Sequence, residues 1–378
     1  MREKGRKRVW LWVAAATAAV CGACFAACGE KGAGQSGSSV QAGQSDQAEE
    51  VYTVTFIADG VVVGTDTYTA EDAEITAPAV PEKKGYTGEW EAYSPDKSDI
   101  TVHAVYTPLL YELTVGTRGD PGVAKGEGTY PCGGAVTVCA EPYAGYAFAG
   151  WYEGDIRRST DVEYTFEMPP YATRYEARFV VREDMKPFSF TSHRYFCMIT
   201  GVEDRTLTSV VIPDCVTSIG DGAFRHCSYL TNVRLPDGLT YIGTGAFLSC
   251  FIMTDIEIPE SVTYIGDFAF QQCHGLTDIK IPKNVQYIGE CAFTGCYGLT
   301  SAVIGSGVTG IGAGAFDLCE KLERVYYGGT AEEWAEVSID PDYNDPLLAA
   351  EIYHYSDTQP TGEGKYWHYG ENGEPVAW

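Results

Sequence analysis

Residues 274–296 read HGLTDIKIPKNVQYIGECAFTGC, and this 23-residue pattern recurs without a gap from residue 205 to residue 319. The other four units are RTLTSVVIPDCVTSIGDGAFRHC, SYLTNVRLPDGLTYIGTGAFLSC, FIMTDIEIPESVTYIGDFAFQQC and YGLTSAVIGSGVTGIGAGAFDLC. A sixth unit begins with EKLERVYYGG and then breaks off. Self-similarity at this period, with Leu, Ile and Val at fixed places, predicts a solenoid in which each unit stacks on the next.

The register of the repeat predicts which side chains are buried. The third, sixth, eighth, twelfth and fifteenth residues of each unit are apolar almost throughout, so we expect them to point inward. In the fourth unit these residues are Leu276, Ile279, Ile281, Val285 and Ile288. The Ala-Phe pair that follows, here Ala292 and Phe293, predicts a column with one aromatic ring per turn.

Glycine and proline occur at fixed places in the unit. The Gly of each Ile-Gly pair, such as Gly289, is expected to adopt backbone angles that a β-branched residue resists. The Pro after the first strand, such as Pro282, ends the strand pairing. The fifth unit has Gly305 in place of this Pro, which predicts a looser turn.

Thirteen cysteines in an exported chain would ordinarily indicate disulfides. However, Cys296 ends its unit, and the other four units end the same way. The equivalent residues are Cys227, Cys250, Cys273 and Cys319. Parallel side chains in register point the same way, so we predict free, buried thiols. Cys291 lies near Cys296 only incidentally, and the sequence leaves open whether Cys132 and Cys139, which flank a predicted strand, form a pair.

The repeat is similar to the BspA-type leucine-rich repeats of bacterial surface proteins, over about residues 185–330. The following VYYGGTAEEWAEV resembles the cap that ends many such arrays, and Thr330 and Glu333 predict a capping box. GKYWHYGENGEPVAW predicts an aromatic hairpin that turns at ENG. We expect both segments to cover the exposed apolar face of the last turn.

Two smaller β modules precede the array. In VYTVTFIADGVVVGTDTYTA the apolar residues alternate around ADG, which predicts a hairpin. Residues 110–180 repeat the plan loosely, and each module has a Gly-Tyr turn before a tryptophan, Trp90 or Trp151. Residues 51–108 resemble an internalin-type B-repeat, and residues 110–181 a divergent relative. The resemblance implies β-grasp-like modules that act as stalks, spacers or adhesive units.

The N-terminus carries an export signal. A basic stretch precedes an Ala-rich apolar run, and FAAC at residues 25–28 resembles a lipoprotein box. The resemblance implies that Cys28 is diacylated and becomes the new N-terminus, although Cys24 and an uncleaved membrane anchor are alternatives. The Gly/Ser/Gln-rich segment after Cys28 is expected to be a flexible tether.

The sequence therefore predicts a mainly β protein in which two small β-grasp-like modules are followed by a leucine-rich-repeat solenoid with a C-terminal α/β cap. The predicted divisions are a signal peptide (1–27), a linker (28–50), a B-repeat-like module (51–108), a second module (109–181), the repeats with an N-terminal cap (182–329) and the C-terminal cap (330–378).

Charge and motifs argue against several functions. The net charge of −26 repels phosphate backbones, so we expect no nucleic-acid partner. The six histidines are scattered, and we find no nucleophile motif, so we expect neither an enzyme nor a cofactor. DPDYNDPLLAAE places Asp340, Asp342, Asn344 and Glu351 at calcium-loop positions, but Asp345 replaces the required Gly. A polar cap loop is therefore favoured over a calcium site.

Binding has better support. Tyr241, Tyr264 and Tyr287 hold the same place in successive units and predict a column on the surface. The outward strand positions carry Asn232, Arg234, Asp255, Glu257, Asp278 and Lys280. Such register-locked side chains are how solenoids build extended binding faces, although the tyrosines could instead only cover the edge of the core.

The sequence leads to two main hypotheses for function. In the first, a non-enzymatic lipoprotein, anchored on the extracellular face of the bacterial membrane, presents the array to an extracellular protein or glycan in an adhesion-like role. In the second, the β modules bind cell-wall polysaccharide, with Trp90 or Trp151 stacking on sugars. Burial of these two rings would argue against the second. A purely structural role is the remaining alternative.

Overall fold

A computed structural model of the chain describes residues 49–72, 74–119, 121–361 and 364–378. The predicted signal peptide, Cys28 and nearly all of the predicted linker lie outside the described residues. Among the described residues, none of the helices has the length and apolar character needed to cross a membrane. The architecture is mainly β, with two small modules followed by the repeat solenoid and its cap, as the sequence predicts.

The first module is one four-stranded sheet. Its strands are β1 (Val51–Ala58), β2 (Val61–Thr69), β3 (Tyr86–Trp90) and β4 (Ile100–Pro108), in the order β2-β1-β4-β3. The predicted hairpin is confirmed, because β1 pairs antiparallel with β2 around Asp59 and Gly60, which both have positive φ. The Trp90 ring lies 5.0 Å from the ring of the buried Phe56.

The second module has two sheets around one core. Its strands are β5 (Leu110–Thr117), β6 (Gly122–Lys125), β7 (Gly128–Pro131), β8 (Ala135–Pro142), β9 (Tyr146–Glu153), β10 (Ile156–Ser159), β11 (Glu163–Glu167) and β12 (Thr173–Val181). The orders are β10-β9-β12-β5-β7 and β11-β8-β6. Cys139 lies within β8 rather than beyond it, so the two cysteines do not flank this strand; Cys139 and Cys132 are both free.

The Gly-Tyr turn of each module forms the joint to the next unit of structure. The Gly85 carbonyl accepts a hydrogen bond from Leu109 N (2.8 Å), and the Gly145 carbonyl accepts the equivalent bond from Arg182 N (3.0 Å). In the first joint the Tyr86 hydroxyl donates to the Cys132 carbonyl. Both glycines have φ near +86°, and both lack room for a side chain, so the motif is fixed by the joint.

The solenoid begins with a 3-10 turn at Glu183–Met185 and a hairpin of β13 (Phe188–His193) and β14 (Phe196–Val202). Two short strands per turn follow. They are β15 (Ser209–Val211), β16 (Ser218–Ile219), β17 (Asn232–Arg234), β18 (Tyr241–Ile242), β19 (Asp255–Ile256), β20 (Tyr264–Ile265), β21 (Asp278–Ile281), β22 (Tyr287–Ile288), β23 (Ser301–Ile304), β24 (Gly310–Ile311), β25 (Arg324–Tyr327) and, after the helix α1 (Ala331–Ala335), β26 (Ser338–Ile339).

These strands form separate parallel ladders. The even-numbered strands continue from the hairpin in the order β13-β14-β16-β18-β20-β22-β24-β26. The odd-numbered strands form one sheet of β15-β17-β19 and a second that starts at β21, so the described strand pairing is interrupted between the third and fourth turns.

The predicted core positions are confirmed: all are buried except Leu207, which is half-buried. The five ladder phenylalanines are fully buried and stack with ring centroids 5.2–5.4 Å apart. They are Phe224, Phe247, Phe270, Phe293 and Phe316. Phe188 of the N-terminal hairpin packs edge-on against Phe224, at 6.4 Å between centroids, and so caps the column.

Two expectations about glycine were wrong, one about why the Ile-Gly glycine is needed and one about the turn at Gly305. The Ile-Gly glycines are needed for close approach of the backbones rather than for unusual angles: a β-carbon at Gly289 would lie 2.4 Å from the Gly266 carbonyl carbon. At Gly305 the turn is tight rather than loose, since a β-carbon there would lie 2.4 Å from Lys283 Cα. The left-handed positions come two and six residues after the Ile-Gly glycine, and Cys291 (φ 52°) is one of the first kind.

The C-terminal cap closes the last turn. The predicted capping box is confirmed, with Thr330 and Glu333 bonding reciprocally at the start of α1. The remaining elements are α2 (Asp345–Ala349), β27 (Glu351–Tyr355), β28 (Tyr366–Tyr369) and β29 (Pro375–Ala377). The odd-numbered ladder from β21 continues in the order β21-β23-β25-β27-β28-β29, and the predicted hairpin is confirmed by the antiparallel pairing of β28 and β29.

Asn344 substitutes for the missing second half of the sixth turn. Within the array each ladder phenylalanine donates its N–H to the alanine carbonyl one turn on, for example Phe293 N to Ala315 O at 2.8 Å. Phe316 has no such alanine ahead, and its N–H donates instead to Asn344 Oδ1 (3.1 Å). The Asn344 amide is fully buried and also donates to the Gly312 carbonyl (2.9 Å), so one side chain satisfies two backbone groups of the last turn.

We predict that Asn344→Ala lowers the free energy of unfolding by about 1–3 kcal/mol, because it leaves the buried Phe316 N–H without a partner and removes one of the two hydrogen bonds that the Gly312 carbonyl accepts. Urea unfolding of the full chain measures this change. Asn372→Ala, in the exposed hairpin turn, is the matched control and should change stability little. Equal effects of the two substitutions would contradict the capping role of Asn344.

Candidate functional site

The tyrosine column lies on the even-numbered sheet. Tyr241 and Tyr264 face each other on neighbouring strands and stack with centroids 5.1 Å apart and planes 2° apart. Burial is the main reason why the pKa of Tyr241 is raised, and the negative charge of Asp221 raises it further. The two rings therefore form a continuous, half-buried aromatic surface.

Tyr287 has a different environment from the other two tyrosines. The next turn has Gly310 in place of a fourth tyrosine, and a β-carbon on it would lie 2.9 Å from Tyr287 Cδ2. A β-carbon at Gly312 would lie 2.8 Å from the Tyr287 hydroxyl. The ring thus leans over the glycines of the fifth turn, which explains why small residues occur there.

The polar outward positions lie on the odd-numbered strands, on a different sheet from the tyrosines. Part of this set, together with turn residues, lines a groove of about 560 Å³. Its polar and charged lining residues are Asn232, Arg234, Asp237, Asp255, Glu257, Glu260, Ser261 and Lys280. Asn232 Nδ2 donates to Asp255 Oδ2 (3.1 Å), and Lys280 Nζ lies 4.0 Å from Glu260 Oε1.

The structure therefore separates the residues that the sequence grouped as one binding face. Arg234, Asp255, Glu257 and Lys280 come together in the groove, where four carboxylates outnumber two basic groups. Asp278 lies on β21 with Lys280 but does not line the groove, and its carboxylate accepts a hydrogen bond from the Thr277 hydroxyl (2.9 Å). The groove spans the interruption of the ladder between β19 and β21.

The C-terminal hairpin covers the other end of this face. Trp367 is fully buried against Tyr326 and donates its Nε1–H to the Tyr327 carbonyl (2.7 Å). Tyr369 reaches back over the sheet, so that Lys280 Nζ lies 5.2 Å from its ring centroid. The hairpin was expected to cover the last turn; through Tyr369 it also contacts Lys280 of the groove, a long-range contact that no local sequence signal indicates.

The tryptophans of the β modules are core residues. Trp151 is fully buried, and its Nε1–H donates to the Val162 carbonyl (3.3 Å). Trp90 is half-buried on Phe56 and donates to the Pro78 carbonyl (2.7 Å). Neither tryptophan ring has a face that is fully exposed to solvent, which favours core packing over sugar stacking.

Comparison with protein families agrees with this geometry. A model of the BspA-type leucine-rich repeat region matches residues 203–323 in six copies. The divergent InlB B-repeat domain matches residues 111–183, and the Listeria-Bacteroides repeat domain matches residues 52–105. Residues 203–323 are a BspA-type leucine-rich repeat region. The resemblances that the sequence suggested for all three regions are confirmed.

Several bacterial structures are similar to part of this chain. A leucine-rich repeat protein of T. pallidum is 32% identical, with a TM-score of 0.36, over 37% of this chain and 69% of that one. A leucine-rich cell surface protein of Faecalibacterium prausnitzii is 34% identical, with a TM-score of 0.37, over 38% of each chain. The pneumococcal vaccine antigen PcpA is 22% identical, with a TM-score of 0.34, over 45% of this chain and 43% of that one. No curated protein matches the sequence.

The loop that resembled a calcium site acts as a structural cap of the BspA-type array. Asn344 bonds backbone groups with both atoms of its side-chain amide. Its Nδ2 donates to the carbonyls of Asp340 and Gly312, and its Oδ1 accepts from Phe316 N. Among the described residues, no cluster of three or more His, Cys, Asp or Glu side chains is arranged to hold a metal ion.

The ladder cysteines of this BspA-type array are free in the described structure. From the second turn onward, each thiol donates to the carbonyl of the phenylalanine one turn back, at 3.2–3.3 Å. Burial raises the pKa of Cys250 and Cys319 to about 12. These thiols are therefore small hydrogen-bonded core groups, whereas Cys291 is half-buried outside the thiol column.

We predict that iodoacetamide at pH 8.5 modifies Cys291 in the folded protein but leaves the ladder cysteines unmodified, because the thiolate is the reactive form. Non-reducing mass spectrometry should find no bond between successive ladder cysteines.

The pKa values of Cys250 and Cys319 in the folded protein lie above the unfolded value of about 8.5. The stability that these thiols contribute is therefore fully present below about pH 8.5 and is lost as the pH rises towards about 12.

Urea unfolding at pH 8 and pH 10.5 measures this loss of stability, and Cys291→Ala is the control that should retain the same pH dependence. Rapid modification of the ladder thiols in the folded state would contradict the assignment of these residues to the core.

Proposed function

We propose that this chain is a non-enzymatic cell-surface lipoprotein, held by a lipid on Cys28, that presents its solenoid to an extracellular protein in an adhesion-like role. The observation that supports the proposal is the groove on the odd-numbered strands. There, outward side chains of the second to fourth turns lie open while the hairpin covers the sheet beyond them. A rigid array with fixed polar positions suits specific recognition of a large partner.

The remaining parts of the chain fit a presenting role. Residues 28–50 would act as a tether from the membrane, and the two Gly-Tyr joints would couple the β modules to each other and to the array as a stalk. The second joint is supported by a tilted contact between the rings of Tyr146 and Phe190, with centroids 5.4 Å apart, and by Arg194, which pairs with Glu141 of the second module.

The alternative is a polysaccharide-binding accessory protein that uses the β modules. The buried Trp151 and the half-buried Trp90 disfavour it, because a ring that stacks on a sugar must present one face to solvent. A glycan could still bind the solenoid, and that possibility is one outcome of the experiment below.

We predict that the full chain captures a protein from extracts of host extracellular material, and that Arg234→Glu combined with Glu257→Lys reduces capture at least tenfold. The double reversal leaves the net charge unchanged but inverts the charge pattern inside the groove. Lys321→Glu combined with Glu320→Lys is the matched control, since both residues are exposed outside the groove lining.

Two results would contradict the proposal. The first is capture that is unaffected by the groove variant. The second is binding to isolated cell-wall glycans alone, without a protein partner.

A further inference from the structure

A second concave site lies on the even-numbered sheet, at the start of the tyrosine column. It is a hollow of about 590 Å³, within the range of small-molecule pockets. Its lining residues are Phe196, Met198, Thr200, Ser218, Gly220, Asp221 and Tyr241. None of them lines the groove on the odd-numbered sheet.

The hollow exists because one turn lacks a large side chain. Met198, Ser218 and Tyr241 are consecutive partners on three neighbouring strands, and Ser218 is the small residue in the middle. Neighbouring strands are about 4.8 Å apart, so Met198 and Tyr241 are separated by about 9.6 Å. That gap admits one flat group in van der Waals contact with both walls.

One face of the Tyr241 ring is available to a ligand. Its other face stacks on Tyr264 at 5.1 Å, which fixes the orientation of the ring. On the side of Ser218 the ring borders the hollow, opposite Met198 and the exposed Phe196. The aromatic wall is therefore already oriented before any ligand arrives.

Charge determines the type of ligand. Asp221 is the one acidic residue among the lining residues, and no basic residue lines the hollow. The Asp221 side chain is exposed, and its Oδ1 is held in place by Thr244 N (2.9 Å). A fixed carboxylate beside an oriented tyrosine ring attracts a flat cation, since the ring face and the carboxylate are both negative.

We propose that this hollow binds the guanidinium group of an arginine side chain from a basic partner polypeptide. The guanidinium stacks on Tyr241, its N–H groups donate to Asp221, and its methylene stem contacts Met198 and Phe196. Arginine fits better than lysine because it is planar, stacks on aromatic faces and is more weakly hydrated. The site goes beyond the proposed function, because it lies on a different sheet from the groove and binds one chemical group, a guanidinium.

The test uses NMR titration of the full chain with acetyl-Gly-Arg-Gly-amide and with the same peptide containing citrulline, which has the shape of arginine without its charge. We expect the arginine peptide to bind with a Kd near 1 mM and to shift the signals of Ser218 and Tyr241. The citrulline peptide should bind about tenfold more weakly.

Variants separate the two contacts. Asp221→Asn keeps the Oδ1 acceptor for Thr244 N but removes the charge, and Tyr241→Ala removes the ring; each should weaken arginine binding about fivefold to tenfold. Tyr241→Phe keeps the ring face and should bind within about twofold of the unmodified chain. Tyr229→Ala, an exposed tyrosine that is absent from the lining, is the control and should have no effect.

Equal binding of the arginine and citrulline peptides would overturn the proposal, as would unchanged binding by Asp221→Asn. Shifts of the Ser218 and Tyr241 signals by a cell-wall oligosaccharide, without any response to the arginine peptide, would also overturn it and assign the hollow to a glycan. None of these results bears on capture through the groove, so the two proposals fail independently.

Discussion

Each turn of the solenoid is joined to the next by backbone hydrogen bonds that repeat at a fixed offset, and the rest of the structure depends on this constraint. The bond from Phe224 N to Ala246 O recurs at the next three phenylalanines with a length of 2.8 Å. The bond places the next phenylalanine ring in the stack and the next thiol against a phenylalanine carbonyl. An insertion within a unit would shift the backbone bond, the phenylalanine ring and the thiol together, because they share one register.

The same spacing explains residues that carry no chemistry of their own. Neighbouring turns approach so closely that the Ile-Gly position has no room for a β-carbon, and Gly305 is needed for the same reason. Where the array stops, the unsatisfied groups of the last turn need a substitute, and Asn344 supplies it from 28 residues away. Where one turn has serine or glycine in place of tyrosine, the surface gains a hollow beside Ser218 or a ring that leans over Gly310.

Much of this fold follows from the sequence because one periodicity sets it. The buried positions, the ring column and the unpaired thiols repeat in every unit, and Thr330 and Glu333 are a local signal for a helix start. Features that depend on distances between turns could not be predicted in this way. The reason for the Ile-Gly glycine, the role of Asn344 and the reach of Tyr369 to Lys280 all depend on contacts that single units do not encode. The sequence analysis named candidate surface residues, but their division between different sheets and the turn residues Asp237, Glu260 and Ser261 of the groove required the structure.

A rigid register also favours binding by the surface, because the backbone of a fixed ladder is already ordered before a partner docks. The central claim is that the Phe-to-Ala backbone bonds join the array into one unbroken stack of turns, closed at both ends. Native-state hydrogen exchange of the five ladder phenylalanine amides tests it most directly. The account predicts protection within about tenfold for all five, including Phe316, whose partner is a side chain. Rapid exchange at Phe316, with protection that declines steadily along the array, would contradict it.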